Sequence, residues 1–269
     1  MRLLPGIILL LSLLPLASLA DRPRVISLAP HLTELTFAAG AGETLVGVVD
    51  WSDYPPEAAE LPLVGDAFRY DLETILGLDP DFALAWRGGS PPAAVERIES
   101  LGIDILWVET RSLDDIARAM EYLGQRLDSE ETGTRAAQAF RNRLQIVSRA
   151  PDTDHGRRTV FYQVSARPLY TLGGRHVINE VFDHCGLENI FAGLDTEAAV
   201  VDVEAVLAAE PDLIIAGHEN NDNDPLARWR ETRLVGEGVT ELHRVDPALL
   251  VRPTPRIIEG IEFVCSLVH

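Results

Sequence analysis

The sequence from residue 71 to residue 86 reads Asp71-Leu-Glu-Thr-Ile-Leu-Gly-Leu-Asp-Pro-Asp-Phe-Ala-Leu-Ala-Trp86, and a related stretch, Asp202-Val-Glu-Ala-Val-Leu-Ala-Ala-Glu-Pro-Asp-Leu-Ile-Ile-Ala-Gly217, begins 131 positions later. Six residues recur at matching places: Asp, Glu, Leu, Pro, Asp and Ala. Each copy predicts an acidic helix start, a short helix, a Pro-Asp turn and an apolar strand. A chain that repeats an α/β unit is expected to form two similar lobes with a ligand-binding cleft between them.

Strand and helix patterns alternate around the first copy. We predict strands at 24–30, 44–49, 82–86 and 105–108, and helices at 33–40, 71–78 and 92–101. Thr33 is the predicted N-cap of the first helix, and Gly40 its C-cap. This β-α alternation predicts a mostly parallel sheet.

Residues 113–150 carry small and apolar residues at helical spacing, with Gly124 and Gly133 as candidate helix breaks. The last helix of this segment, about Glu130 to Arg149, is predicted to cross between the lobes. The second half then repeats the first in outline, with Tyr170 in a loop after its first strand. We predict strands at 159–164 and 213–216, and helices at 176–185, 202–208, 225–234 and 255–267.

The amino terminus has the pattern of a secretory signal peptide. Arg2 precedes an almost wholly apolar run from Leu3 to Leu19, and small residues at Ser18 and Ala20 suit a signal peptidase. The alternative, a membrane anchor, is disfavoured because the run is short and interrupted by proline. We expect a soluble, exported product. The predicted division is a signal peptide 1–20, an N-terminal α/β lobe 21–112, a helical connector 113–156 and a C-terminal α/β lobe 157–269.

The formal net charge is −19, and all 23 basic residues are arginine. Nucleic acid is disfavoured as a partner because binding phosphate backbones needs a basic face. Compositional bias and solubility account for most of the acidity. Cys185 and Cys265 are the two cysteines, and in an exported protein such a pair predicts a disulfide. Two free thiols are the alternative.

Motifs for catalysis are missing from the sequence. It has no dinucleotide-binding glycine pattern, no P-loop, no Gly-x-Ser-x-Gly and no His-Glu-x-x-His. We therefore predict no catalytic residue, no resident metal and no cofactor. The run from His218 to Pro225 has alternating acids like a calcium loop, but it lacks the central glycine and the terminal glutamate, which favours a plain solvated loop.

Aromatic residues lie at predicted strand ends. Trp51, Trp86 and Tyr170 each follow or end a strand, where open parallel sheets face their ligand crevice. Three such rings could hold a large flat ligand by face contact. The alternative is that one or two of them pack against their own lobe.

Several stretches in this order resemble the periplasmic cobalamin (vitamin B12)-binding proteins of bacterial ABC importers, over essentially the whole mature chain. The most specific are Pro23-Arg-Val-Ile-Ser-Leu-Ala-Pro30, Thr33-Glu-Leu-Thr-Phe-Ala-Ala-Gly40, Ser52-Asp-Tyr-Pro-Pro56, Ala85-Trp-Arg-Gly-Gly89, Cys185-Gly-Leu-Glu-Asn-Ile-Phe191 and Pro255-Arg-Ile-Ile258. The resemblance implies an α/β fold of two Rossmann-like lobes joined by one long helix. It also implies a monomer that captures cobalamin, its transported ligand, and delivers it to a twofold ABC importer.

The resemblance also implies residue roles. The implied ligand contacts are Trp51, Phe68, Trp86, Tyr170, Ala248, Leu249, Leu250, Val251 and Arg252, and the implied disulfide is Cys185–Cys265. This sequence departs from the family at Ala67 and Ala198, where relatives have cleft tryptophans, and at Ala248, where they have Asp.

Glu73 and Glu204 occupy equivalent places in the two copies of the repeat. The resemblance implies that these glutamates pair with arginines of the two membrane subunits. The alternative is that each merely stabilises its helix, since an acid in the first turn favours the helix dipole. Two other functions stay open. One is a ferric-siderophore or haem carrier of the same fold, which would want a basic cleft for an anionic siderophore or a free axial ligand such as His218 or Tyr170. The other is a secreted enzyme.

Overall fold

A computed structural model describes residues 22–147, 156–217, 224–236 and 238–268. The predicted signal peptide and most of the loop from 218 to 225 lie outside the described residues. Within them, no helix is long and apolar enough to span a bilayer.

The first lobe is built on a four-stranded parallel sheet. Its elements are β1 (Val25–Ser27), α1 (Pro30–Ala38), β2 (Leu45–Val48), α2 (Leu72–Leu78), β3 (Phe82–Trp86), α3 (Pro92–Glu99) and β4 (Asp104–Val108). The strand order is β2-β1-β3-β4, and every pairing is parallel. The order reverses between β1 and β3, which places a crevice at the carboxyl ends of these strands.

Two helices follow the first sheet, α4 (Leu113–Arg126) and α5 (Glu130–Val147). Gly124 and Gly133 do not break them. A Cβ on Gly133 would lie 2.5 Å from the Met120 carbonyl oxygen, so the glycines let the two helices cross closely. Helix α5 also reaches the second lobe, where Arg143 contacts Glu262 at 3.4 Å. The predicted long interlobe helix is confirmed.

The second lobe carries its own parallel sheet. Its elements are β5 (Arg158–Gln163), β6 (Ser165–Ala166), β7 (Leu169–Leu172), α6 (Ile178–His184), β8 (Leu187–Asn189), β9 (Ala198–Val200), α7 (Val203–Ala209), β10 (Leu213–Gly217), α8 (Ala227–Arg230), α9 (Arg233–Gly236), β11 (Glu241–Val245) and α10 (Ile257–Ser266). The order β8-β5-β10-β11 reproduces that of the first lobe, again all parallel. Strands β6, β7 and β9 form a small antiparallel sheet beside it.

The repeated sequence forms the same helix, turn and strand in both lobes. Helices α2 and α7, and strands β3 and β10, have bounds that differ by the same 131 positions. Both helices end in a left-handed residue, Asp79 with φ 46° and Glu210 with φ 48°. The aspartates of the two Pro-Asp turns also match: Asp81 accepts a backbone hydrogen bond from Arg24 (2.8 Å), and Asp212 accepts one from Thr159 (2.6 Å). Each Pro-Asp turn, which leads into β3 or β10, is thereby hydrogen-bonded to the start of the neighbouring strand, β1 or β5.

Some predicted boundaries are wrong. Helix α1 begins at Pro30, because proline fixes φ for a first helical residue and Ala29 before it is extended; Thr33 lies inside the helix. The predicted helix 225–234 is instead the two short helices α8 and α9, and Thr232 between them donates its hydroxyl to the Trp229 carbonyl (2.7 Å). Tyr170 lies on strand β7, not in a loop.

The hydrophobic core runs through both lobes. One cluster contains residues of both, for example Leu32 of α1 with Ile178 of α6 and Ile261 of α10, all wholly buried. The disulfide between Cys185 and Cys265 ties the end of α6 to α10, as predicted. A shared core makes the lobes one packed body and favours small relative motions.

Candidate ligand-binding site

A cavity of about 1510 Å³ opens at the carboxyl ends of both sheets. The first lobe contributes Pro30 after β1 and the loop after β2. The second lobe contributes the ends of β5 and β10 and the segments after β5 and β11. The cavity thus lies beyond the carboxyl ends of strands in both sheets, where open α/β sheets bind ligands.

The first-lobe wall is aromatic. Trp51 lines the cavity with 68% of its surface exposed, and Tyr54 lies beside it, 43% exposed. Trp51 has φ 67°, in the left-handed region that a bulky side chain adopts only at a cost, about 1–2 kcal/mol. The adjacent Ser52 accepts a hydrogen bond from the buried Thr33 hydroxyl at 3.2 Å. The loop therefore holds an exposed indole in a strained position, as functional sites often do.

Two ion pairs join the lobes, and both involve residues that line the cavity. Arg252 donates to Asp53 across the lobes at 2.5 Å. Arg256 makes a bidentate pair with Glu34, both contacts at 2.8 Å, and its guanidinium lies 4.0 Å from the Tyr54 ring centroid. Burial alone would raise the pKa of Asp53, but the Arg252 guanidinium holds it below its ordinary value.

The second-lobe wall is basic and contains a buried hydroxyl. Arg167, Arg228 and Arg244 line it, together with Tyr162. Arg244 pairs with Asp224 at 2.6 Å. The cavity as a whole carries five arginines and three aspartates, in a protein whose formal charge is −19.

Two buried histidines lie next to this region, one from each lobe. His31 of α1 contacts the Trp86 ring edge-on, with centroids 4.9 Å apart. Burial, then the charges of Arg252 and His176, lower the pKa of His31 to about 3. Burial likewise lowers the pKa of His176 to about 4, although a bond with the Val251 backbone opposes this. Both side chains are therefore neutral at pH 7.

The structure brings part of the predicted ligand set together. The cavity lining includes Trp51, Ala248, Val251 and Arg252. Leu250 does not line the cavity: it is wholly buried in the shared core, and its role as a ligand contact stays a prediction. Its neighbour in sequence, Leu249, is also absent from the cavity lining.

The remaining aromatics lie away from the lining. Trp86 is half-buried, and its ring covers Gly88 and Gly89, where an added Cβ would lie within 3 Å of it. Phe68 is 74% exposed, and Tyr170 is 37% exposed on β7. Their roles as ligand contacts stay predictions.

Sequence reasoning missed several lining residues. Asp53 and Tyr54 belong to the stretch Ser52–Pro56, which carries the family resemblance and follows β2. Those two signals together could have identified them as lining residues. Tyr162, Arg167 and Arg228 gave no such signal, because the chain brings them together only on folding. Among the described residues, no group of three or more His, Cys, Asp or Glu could hold a metal ion.

The two repeat glutamates are both exposed and both stand in the first turn of their helices, Glu73 in α2 and Glu204 in α7. The structure thus places one carboxylate at equivalent positions on each lobe. Their role in docking stays a prediction.

Comparisons with known proteins agree with this architecture. The chain is 37% identical over 243 residues to the vitamin B12-binding protein of Vibrio cholerae, which covers 90% of this chain and 88% of the relative. It is 34% identical over 258 residues to that of Pectobacterium atrosepticum, with 94% and 91% coverage. The solved periplasmic vitamin B12 binding protein of Vibrio cholerae superimposes with a TM-score of 0.81 at 36% identity, over 92% of this chain and 96% of that one.

A more distant structure shares the fold alone. The periplasmic haem-binding protein of Roseiflexus sp. RS-1 gives a TM-score of 0.75 at 21% identity, over 92% of this chain and 98% of that one. Residues 25–228 match the family described as periplasmic binding protein. With this match over most of its length and curated relatives above 30% identity, the chain belongs to the periplasmic binding protein family.

Proposed function

We propose that this protein captures vitamin B12 or a related corrinoid between its lobes and delivers it to an ABC importer. The observation that carries the proposal is the interlobe cavity, in a chain 37% identical to a vitamin B12-binding protein. Its volume of about 1510 Å³ exceeds the ~300–1,000 Å³ of ordinary small-molecule pockets, which suits a ligand as large as a corrinoid.

The walls of the cavity suit the parts of such a ligand. The exposed Trp51 indole offers an apolar face to the corrin ring. Arg252, at the cavity's edge, can turn from Asp53 to an acceptor on the ligand. The proposal includes no catalytic step, because capture and release need only binding groups.

A ferric siderophore or haem is the alternative ligand, and haem carriers share the fold. An anionic siderophore would need a basic cleft, and five arginines line this cavity; a haem would need an axial ligand there. Of the two candidates, His218 lies outside the described residues, and Tyr170 is not part of the cavity lining. We therefore keep the alternative as an outcome of the binding test.

Delivery to the importer needs a surface on each lobe that contacts the membrane subunits. We infer that Glu73 and Glu204 pair with basic residues of two like membrane subunits, one on each lobe. Their equivalence in the two lobes supports this inference, since a protein with two similar halves can meet a twofold partner. Such pairing adds orientation and association rate more than affinity. We also infer that the chain is exported, cleaved near Ala20 and works as a monomer in the periplasm.

The test is a titration of purified protein with cyanocobalamin, followed by calorimetry and tryptophan fluorescence. We expect binding at micromolar concentrations or tighter. Trp51→Ala is expected to weaken binding by about tenfold or more, because the variant loses an exposed aromatic ring that the bound ligand would cover. Leu101→Ala, which shortens an exposed apolar side chain outside the cavity lining, is the matched control and should bind normally.

Two results would count against the proposal. One is binding of a ferric siderophore or haem, with no binding of cyanocobalamin at micromolar concentrations. The other is full affinity in Trp51→Ala, which would place the corrinoid elsewhere.

A further inference from the structure

We propose that Arg167 and Arg228, with the Tyr162 hydroxyl, form an oxyanion subsite on the second-lobe wall of the cavity, which takes a phosphodiester or carboxylate group of the ligand. This rests on the proposed function, since it names the part of a corrinoid that this wall would hold. All three residues line the same cavity.

The charge of the two arginines carries the first step. Of the five arginines that line the cavity, three are held in the ion pairs described above. Arg167 and Arg228 form no ion pair with any residue in the described parts of the chain. A ligand that covers them removes water from both guanidinium groups, which is costly without a counter-charge. An oxyanion supplies that charge and accepts bidentate hydrogen bonds from guanidinium groups.

Both arginine side chains project from rigid segments, which is the second argument for the subsite. Arg167 lies in the tight turn between β6 and β7, where the Ser165 hydroxyl donates to the Pro168 carbonyl at 2.8 Å. Arg228 lies on α8 next to Trp229, which is wholly buried and donates to the Gln163 side chain at 2.7 Å. Both arginines therefore project from segments that internal hydrogen bonds hold in place, as pre-organised binding groups require.

A buried hydroxyl without a partner carries the third step. Tyr162 is wholly buried, lines the cavity, and its hydroxyl has no hydrogen-bond partner among the described residues. Gly217 and Pro247 pack beside it: a Cβ added to Gly217 would lie 3.4 Å from the hydroxyl oxygen and 3.1 Å from the Pro247 Cβ. Burial, helped by the charge of Asp246, raises the pKa of Tyr162, so the group stays protonated and can donate. Unsatisfied buried donors are rare, and a ligand acceptor would satisfy this one.

The chemistry of corrinoids offers two sources of oxyanion. Cobalamin carries a phosphodiester in its nucleotide loop, and incompletely amidated corrinoids carry carboxylates at the ring edge. The acidic protein as a whole repels either group, so two arginines of this wall that have no ion pair among the described residues are what would make an anionic ligand acceptable.

The experiment measures the affinity of wild type and the double variant Arg167→Ala/Arg228→Ala for three ligands: cyanocobalamin, a cyanocobalamin monocarboxylate, and dicyanocobinamide, which lacks the phosphodiester. We expect the double variant to lose at least about tenfold in affinity for cyanocobalamin and little for dicyanocobinamide. A larger loss for the monocarboxylate than for cyanocobalamin would instead identify the carboxylate as the bound group. The control is Arg233→Ala, which removes an arginine of the same lobe that pairs with Glu210 outside the cavity lining.

Tyr162→Phe adds a separate measurement. It should lower cyanocobalamin affinity a few-fold without lowering the melting temperature of the free protein, because the hydroxyl it removes has no partner there. Equal losses for all three ligands in the double variant, or no loss for any, would overturn the subsite. If wild type binds none of the three ligands, the proposed function fails and the subsite fails with it. If wild type binds all three and the variants bind them with the same affinity as wild type, only the subsite fails.

Discussion

His31 shows how a single side chain couples stability to pH. In the folded protein its pKa is about 3, lowered first by burial and then by Arg252 and His176, whereas an unfolded chain has a value near 6.5. The unfolded state therefore takes up the proton first as pH falls. This histidine leaves stability intact above about pH 6.5 and costs stability between about pH 6.5 and 3.

We expect His31→Leu to flatten that dependence. Between pH 7 and 4.5 the wild type should lose on the order of 2–3 kcal/mol more unfolding free energy than the variant, measured by urea titration at each pH. His176 remains in both proteins, so the difference reports His31 together with its coupling to His176. Equal pH slopes in the two proteins would mean that His31 titrates normally in the folded state.

The individual site residues differ in how readily the sequence predicts them. Trp51 could be placed at the cavity because it follows a predicted strand, whereas Arg252 was indicated only by the family resemblance. Leu250 could not be separated from Val251 beside it, because only the packing of the shared core turns one side chain inward and leaves the other at the cavity. Arg167 and Arg228 are 61 positions apart, and only tertiary structure places them on one wall.

Helices α2 and α7 provide a matched pair at the scale of elements. The Asp71 side chain accepts hydrogen bonds from the backbone of Glu73 and Thr74, both at 3.1 Å. Asp202, its equivalent, makes no such cap bond. We expect Asp71→Ala to destabilise the protein by about 1 kcal/mol and Asp202→Ala to have a much smaller effect.

Thermal or urea unfolding of the two variants checks this. Each serves as the other's control, since both remove a carboxylate from the same place in the repeat. Equal destabilisation would show that the helix dipole, rather than the cap, accounts for the aspartates.

The repeat also marks what sequence patterns can predict about elements. Strands β3 and β10 were predicted to within one residue, because continuous apolar runs bounded by Pro-Asp and Gly signals are typical of buried parallel strands. The three-residue strands β8 and β9 were missed, because such short segments become strands only when a neighbour offers hydrogen bonds. For the same reason Tyr170 appeared to be in a loop.

At the scale of the molecule, two like lobes carry two like carboxylates. We expect Glu73→Arg/Glu204→Arg to bind cyanocobalamin normally and to abolish uptake in cells that depend on this protein for corrinoid import, because reversed charges repel basic partners. The control reverses two other exposed acids, Glu99 on the first lobe and Glu188 on the second, with the same change in net charge. Unchanged uptake in the first variant would remove the docking role.

The two interlobe ion pairs respond differently to ionic strength. Glu34 is 3% exposed, whereas Asp53 is 57% exposed. Screening acts on charges that water surrounds, and at about 1 M salt it extends over only ~3 Å. High salt therefore weakens the Arg252–Asp53 contact at the cavity's edge while the Arg256–Glu34 contact persists. Ionic strength therefore acts unequally on the two contacts that join the lobes beside the cavity.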